Sequence, residues 1–106
     1  MTTLTNYSAY GNIQSNTTTE WVSCRGLTTL TAHLASGAGT WTWQFQGVDG
    51  VPRTLYGGAT GETAQVFTAS NMVNVYFGGD VLVRGSATAG ASPNWDYQLI
   101  GNSIGG

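Results

Sequence analysis

Apolar and polar residues along this chain alternate with a period of two, and no stretch holds apolar positions at the spacing of an amphipathic helix. The clearest alternation is TWTWQFQ at 40–46, which sets Trp41, Trp43 and Phe45 on one face of a strand and Thr42 and Gln44 on the other. LTTLTAHLA at 27–35 places Leu30, Ala32 and Leu34 on one side and Thr29, Thr31 and His33 on the other. NWDYQLI at 94–100 separates Trp95, Tyr97 and Leu99 from Asn94, Asp96 and Gln98. Shorter strands are predicted at 20–24, 51–56, 62–69, 71–77 and 80–84.

Glycine-rich punctuation separates these runs. Arg25-Gly26 and SGAG at 36–39 read as turns, and residues 57–61 and GSATAGASP at 85–93 read as loops. Asp49-Gly50 and Gly78-Gly79 read as hairpins, because these residue types tolerate the positive φ of a tight turn. Pro52 lacks an N–H and marks a strand start or a sheet edge. The pattern predicts an all-β fold, a single antiparallel β-sandwich of about eight strands, immunoglobulin-like or jelly-roll-like.

The sandwich is expected over residues 20–100. Residues 1–19 carry only isolated apolar side chains, Leu4, Tyr7, Tyr10 and Ile13, and read as an N-terminal arm or docking strand. Residues 101–106 are half glycine and read as a flexible C-terminal tail. Ordering backbone costs ~1–2 kcal/mol per residue, so an arm this poor in apolar groups is expected to be ordered by a neighbouring subunit. Its spaced side chains are then candidate partner contacts.

The rings at 41, 43 and 45 could form a ligand platform or fill the core. A domain of 106 residues needs such side chains inside, since each aromatic buries ~150–250 Å², and the core reading is preferred. Tyr56, Trp95 and Tyr97 lie near strand ends, where either packing or partner contact is open to them.

Composition narrows the function. Charged residues make up 8% of the chain, against ~25% in an average domain. There is no lysine, and the net charge is −2. Three scattered arginines do not make a counterion-displacing surface, which argues against nucleic acid. No apolar run approaches the ~20 residues of a membrane-spanning helix, so no membrane partner is expected. No basic stretch followed by an apolar one opens the chain, and synthesis in a cytosol is expected. One cysteine and one histidine make a poor zinc set, and Cys24 reads as a small core residue. His33 has no nucleophile elbow to serve and reads as a solvent-facing strand residue. No catalytic residue, metal or cofactor is expected, and the chain does not read as an enzyme.

From about Thr40 onward the sequence resembles small virion proteins of tailed bacteriophages. The segments that carry the resemblance are GTWTWQFQGVDG at 39–50 and NVYFGGDVLVRGSA at 74–87. The first is a Gly-Thr-hydrophobic strand entering an Asp-Gly hairpin, and the second is a glycine-led strand ending in Arg and small residues. The resemblance implies a structural role without catalytic residues. It points first to a capsid decoration (cement) protein that binds the major capsid protein and copies of itself, as a homotrimer on the capsid surface. The alternatives are a head-tail connector or tail subunit, and a carbohydrate-binding module of a tail or fibre with Tyr56, Trp95 and Tyr97 stacking on sugars.

Overall fold

The computed structural model describes residues 3–57 and 63–105, with side chains at 3–7, 63 and 102–105 outside the description. The expected loop at 57–61 and the start of the strand expected at 62–69 therefore fall largely outside it. Every regular element is a strand: β1 (Thr3–Ile13), β2 (Val22–Gln46), β3 (Pro52–Thr54), β4 (Tyr56–Gly57), β5 (Thr63–Ala64), β6 (Val66–Phe67) and β7 (Asn71–Gly105).

Two long strands, β2 and β7, make most of the molecule. Residues 22–32 of β2 pair with 71–83 of β7, and residues 27–45 pair with 83–102. In both ladders the partner number falls as the residue number rises, so the strands run antiparallel. Leu30 therefore lies between Val73 on one side and Leu99 on the other. β1 adds to the free edge of β7, from Thr3 opposite Gly105 to Ile13 opposite Trp95. β3 and β6 pair with the far end of β2, and β4 and β5 form a separate two-stranded sheet.

The long ribbon folds over on itself, and the bends fall where the sequence suggested chain reversals. At the first bend Cys24 faces Val81 and Gly26 faces Phe77, so Gly78, Gly79 and Asp80 bulge opposite Arg25. Gly26 has φ +70°, and Arg25 approaches Asp80 to 3.9 Å across the bulge. At the second, Gly37 has φ +78°, and a Cβ there would run into the Ser92 carbonyl. Ala89 and Ser92 take positive φ beside it. The turns expected at Arg25-Gly26, 36–39 and Gly78-Gly79, and the loop expected at 85–93, are thus kinks within continuous strands. Glycine supplies positive φ to a bulge as readily as to a hairpin. Asp49-Gly50 does close a hairpin: the Gly47 N–H donates to the Val51 carbonyl at 3.0 Å and Gly50 has φ +79°. Arg53, and then the Val51 N–H, hold the Asp49 carboxyl below its usual range.

Folding the ribbon brings its two halves face to face as a sandwich. Leu30, Ala32, Phe77, Trp95 and Leu99 from one half meet Cys24, Trp41, Trp43, Val83 and Ala87 from the other in one cluster. Trp41 is at the centre, edge-on to Trp43 at 5.3 Å, tilted against Trp95 at 5.5 Å and stacked on Tyr97 at 5.5 Å. The rings of Trp41 and Trp43 are core, as their alternation predicts, and Phe45 packs against the cluster half-buried. Small residues sit opposite them: Gly85 pairs with Trp43 and Ala87 with Trp41.

Of the two readings of residues 1–19, the docking strand is the one that matches the pairing, and its partner includes most of the segment read as a flexible tail. Residues 3–7 pair in register with 101–105, so each segment completes the backbone hydrogen bonds of the other within one chain. Neither end carries enough apolar residues to announce a strand alone, and their separation in sequence hides the pairing. Deleting residues 1–10 is therefore expected to lower the melting temperature by at least ~5 °C, read by far-ultraviolet circular dichroism. An unchanged melting temperature would show that β1 adds nothing to the body.

Candidate binding face

Four strand segments, at 8–12, 96–100, 27–33 and 72–76, lie side by side, and their inward residues build the core. Their outward residues line up in cross-strand rows. Leu27 stands beside Tyr76, and the next row is Ser8, Ile100, Thr29 and Asn74. Tyr10, Gln98, Thr31 and Met72 form the third row, and Asn12, Asp96 and His33 the fourth. Across these rows the only formal charge at neutral pH is Asp96.

The face is graded. At one end Leu27, Tyr76 and Ile100 are exposed, with Met72 and Tyr10 in the row beyond. Tyr10 is 78% exposed and Tyr76 75%. Together the five side chains present on the order of 500 Å² of apolar surface, near the top of what monomers usually show. At the other end the side chains are polar and held in place. Asn12 Nδ2 lies 2.7 Å from Asn94 Oδ1, 2.8 Å from Asp96 Oδ1 and 3.2 Å from the Trp95 carbonyl. Gln14 donates to Asn12 Oδ1 at 3.0 Å. Ser70 Oγ accepts the Leu34 N–H at 3.0 Å and meets His33 Nδ1 at 2.8 Å. Beside these groups lies a hollow of about 580 Å³ lined by the fourth row and by Tyr10, Gln98 and Thr31 of the third, with Gly11 and Tyr97.

Ser70, His33 and Asp96 are neighbours here, which raises the question of a catalytic relay. The Ser70 hydroxyl meets Nδ1 while capping a backbone N–H, and Asp96 is engaged by Asn12. No hydrogen bond among the described residues joins Asp96 to His33, so the three do not form a nucleophile–base–orienter chain. Among the described residues no group of three or more His, Cys, Asp or Glu side chains is placed to hold a metal. Cys24 is buried, and its Sγ lies 3.6 Å from the Val22 carbonyl.

The candidate contact residues from the sequence scatter. Tyr10 is on the face, whereas Ile13 and Trp95 are in the core, which corrects the contact role considered for both. Tyr97 is half-buried against Trp41. Tyr56 is exposed, but on β4, in the separate two-stranded sheet. Leu4 and Tyr7 lie in β1 opposite Ile104 and Gly101, and their side chains are outside the description. A three-residue spacing on a strand alternates faces, so Tyr10 and Ile13 had to point opposite ways. Leu27, Met72, Tyr76 and Ile100 were missed. Their signal is parity: each stands an odd number of places from a buried neighbour on its own strand.

No family model and no curated protein matches the chain. The crystal structure of the SPBc2 prophage-derived protein YomS superposes on it with a TM-score of 0.74, covering 97% of this chain and 96% of that one. The two are 11% identical. The likeness is one of fold. It extends over nearly the whole of both chains.

Proposed function

We propose that this chain is a non-enzymatic structural protein of a bacteriophage or prophage particle, and within that class a capsid decoration protein. It docks on the major capsid protein lattice through the apolar end of the outer face, beside copies of itself arranged as a homotrimer. The observation that carries the reading is that end: Leu27, Tyr76 and Ile100 exposed together on a sheet face whose one formal charge, Asp96, lies at the other end. Aromatic and aliphatic side chains in a neutral surround are what the centre of a protein interface requires. The resemblance of 39–50 and 74–87 to small tailed-phage virion proteins supports the choice of partner. So does a shared fold with a prophage-derived protein. Binding that spans neighbouring coat subunits stabilises the shell by mass action, with no chemistry needed.

The test is co-sedimentation with particles assembled without this protein, followed by imaging of where the added density lies. Leu27→Asp combined with Tyr76→Asp changes exposed positions, so the melting temperature is expected to stay within a few degrees of the parent. Occupancy on particles is expected to fall about tenfold or more, because docking would bury two unpaired carboxylates. Full occupancy by the double variant would put the docking surface elsewhere.

A further inference from the structure

We infer that the polar end of the outer face is a saccharide subsite for a neutral mono- or disaccharide unit, with Tyr10 as its stacking ring. The subsite meets the apolar end at Tyr10 but shares none of Leu27, Tyr76 and Ile100 with it, and sugar binding is read separately from particle docking.

The lining selects the ligand class. A pyranose has one flat apolar side of C–H groups and a rim of hydroxyls, each both donor and acceptor. Tyr10 offers a single ring, 78% exposed, at one side of the hollow. The opposite and lower sides are planar polar groups: the Asp96 carboxylate, the Gln98 amide and the His33 imidazole, with the Thr31 hydroxyl between. Asp96 uses Oδ1 toward Asn12, and His33 uses Nδ1 toward Ser70. Asp96 Oδ2 and His33 Nε2 have no hydrogen-bond partner among the described residues, and both side chains are exposed. Anchoring one atom of a planar group while leaving the other open is how a hydroxyl-binding group is held ready, with little rotamer entropy left to lose.

Other ligand classes fit less well. No arginine or lysine lines the hollow, so a phosphate, uronate or sialate would meet the Asp96 carboxylate without a counter-charge. A nucleobase usually lies near cations as well as stacking rings, and no arginine or lysine lines the hollow. A wholly apolar ligand would leave the Asp96 carboxylate and the His33 and Gln98 groups of the lining without partners. Two rows by three strands cover roughly 10 × 7 Å at ordinary sheet spacings, and about 580 Å³ falls within the ~300–1,000 Å³ range of small-ligand sites.

The experiment is a titration of the full-length, isotopically labelled protein with methyl glycosides of glucose, galactose, mannose and N-acetylglucosamine, and with lactose and chitobiose. Sialyllactose serves as the anionic comparison, and backbone amide shifts are the readout. At least one neutral sugar is expected to shift the amides of Tyr10, Asn12, His33, Asp96 and Gln98, with a Kd on the order of 1 mM. Tyr10→Ala, at an exposed position, is expected to weaken that binding about tenfold while the rest of the spectrum is unchanged. Asp96→Asn is expected to weaken it as well, whereas Tyr76→Ala is expected to leave it intact. The inference is overturned if no neutral sugar perturbs these amides, if Tyr10→Ala binds as the parent does, or if sialyllactose binds better than lactose.

Discussion

Trp41→Ala is expected to leave little folded protein at room temperature. Its indole is fully buried and touches Trp43, Trp95 and Tyr97, and so ties the two halves of the folded ribbon together. Truncating a buried Trp typically costs ~3–5 kcal/mol, a large share of the ~5–15 kcal/mol that a domain possesses in all. The indole Nε1 meets no acceptor among the described residues, so packing holds the ring in place. Trp41→Phe keeps much of that packing and is expected to fall between the parent and the alanine variant. Urea unfolding followed by tryptophan fluorescence orders the three. An alanine variant that melts within a few degrees of the parent would remove Trp41 from the stability of the core.

Gly85→Ala is expected to be nearly as damaging, although it adds a single methyl group. A Cβ at Gly85 would overlap the Cζ2 and Cε2 atoms of the Trp41 ring. Neither partner has room to withdraw: the ring is enclosed, and Gly85 is tied into β7, its N–H bonded to Thr19 Oγ1 at 3.0 Å. Overpacking a core costs ~1–3 kcal/mol and sometimes more, and Gly85→Val is expected to exceed Gly85→Ala. The nearest of the overlapping atoms, Cζ2, belongs to the benzo ring that phenylalanine lacks. Trp41→Phe in the Gly85→Ala background is therefore expected to cost less than the two single changes added together. A double-mutant cycle showing simple additivity would mean that the ring and the glycine are not in contact.

These two variants mark where reading the sequence stopped short. Trp41 and Trp43 declare themselves by alternation, because a strand with one aromatic face has to bury it. Gly85, Ala87 and their neighbours looked like a loop, because small residues are common in loops. In the structure they are the small halves of large–small pairs across two strands. That role is visible only once the Trp side has been brought opposite. The same limit applied at Gly26, Gly37 and Gly78-Gly79, whose φ freedom serves a bend inside a strand rather than a reversal.

Local chemistry along the chain determined a good deal: the all-β class, the absence of helix among the described residues, the Asp49-Gly50 hairpin and the burial of the Trp41 face. These depend on period-two patterning and turn chemistry, which act over a few residues. The tertiary structure alone decided which segments meet. The pairing of residues 3–13 with 95–105 joins stretches that have no local reason to associate, and it decided between the arm and the docking strand that the sequence left open. The outer face is likewise a product of register. Tyr10, Asp96 and His33 are far apart in sequence, and Leu27 and Tyr76 are isolated apolar residues in polar or mixed runs. They become a surface because strand pairing stacks residues of the same parity at sheet spacing. Long-range register is a property of the folded ribbon as a whole, and a side-chain pattern read along one strand does not contain it.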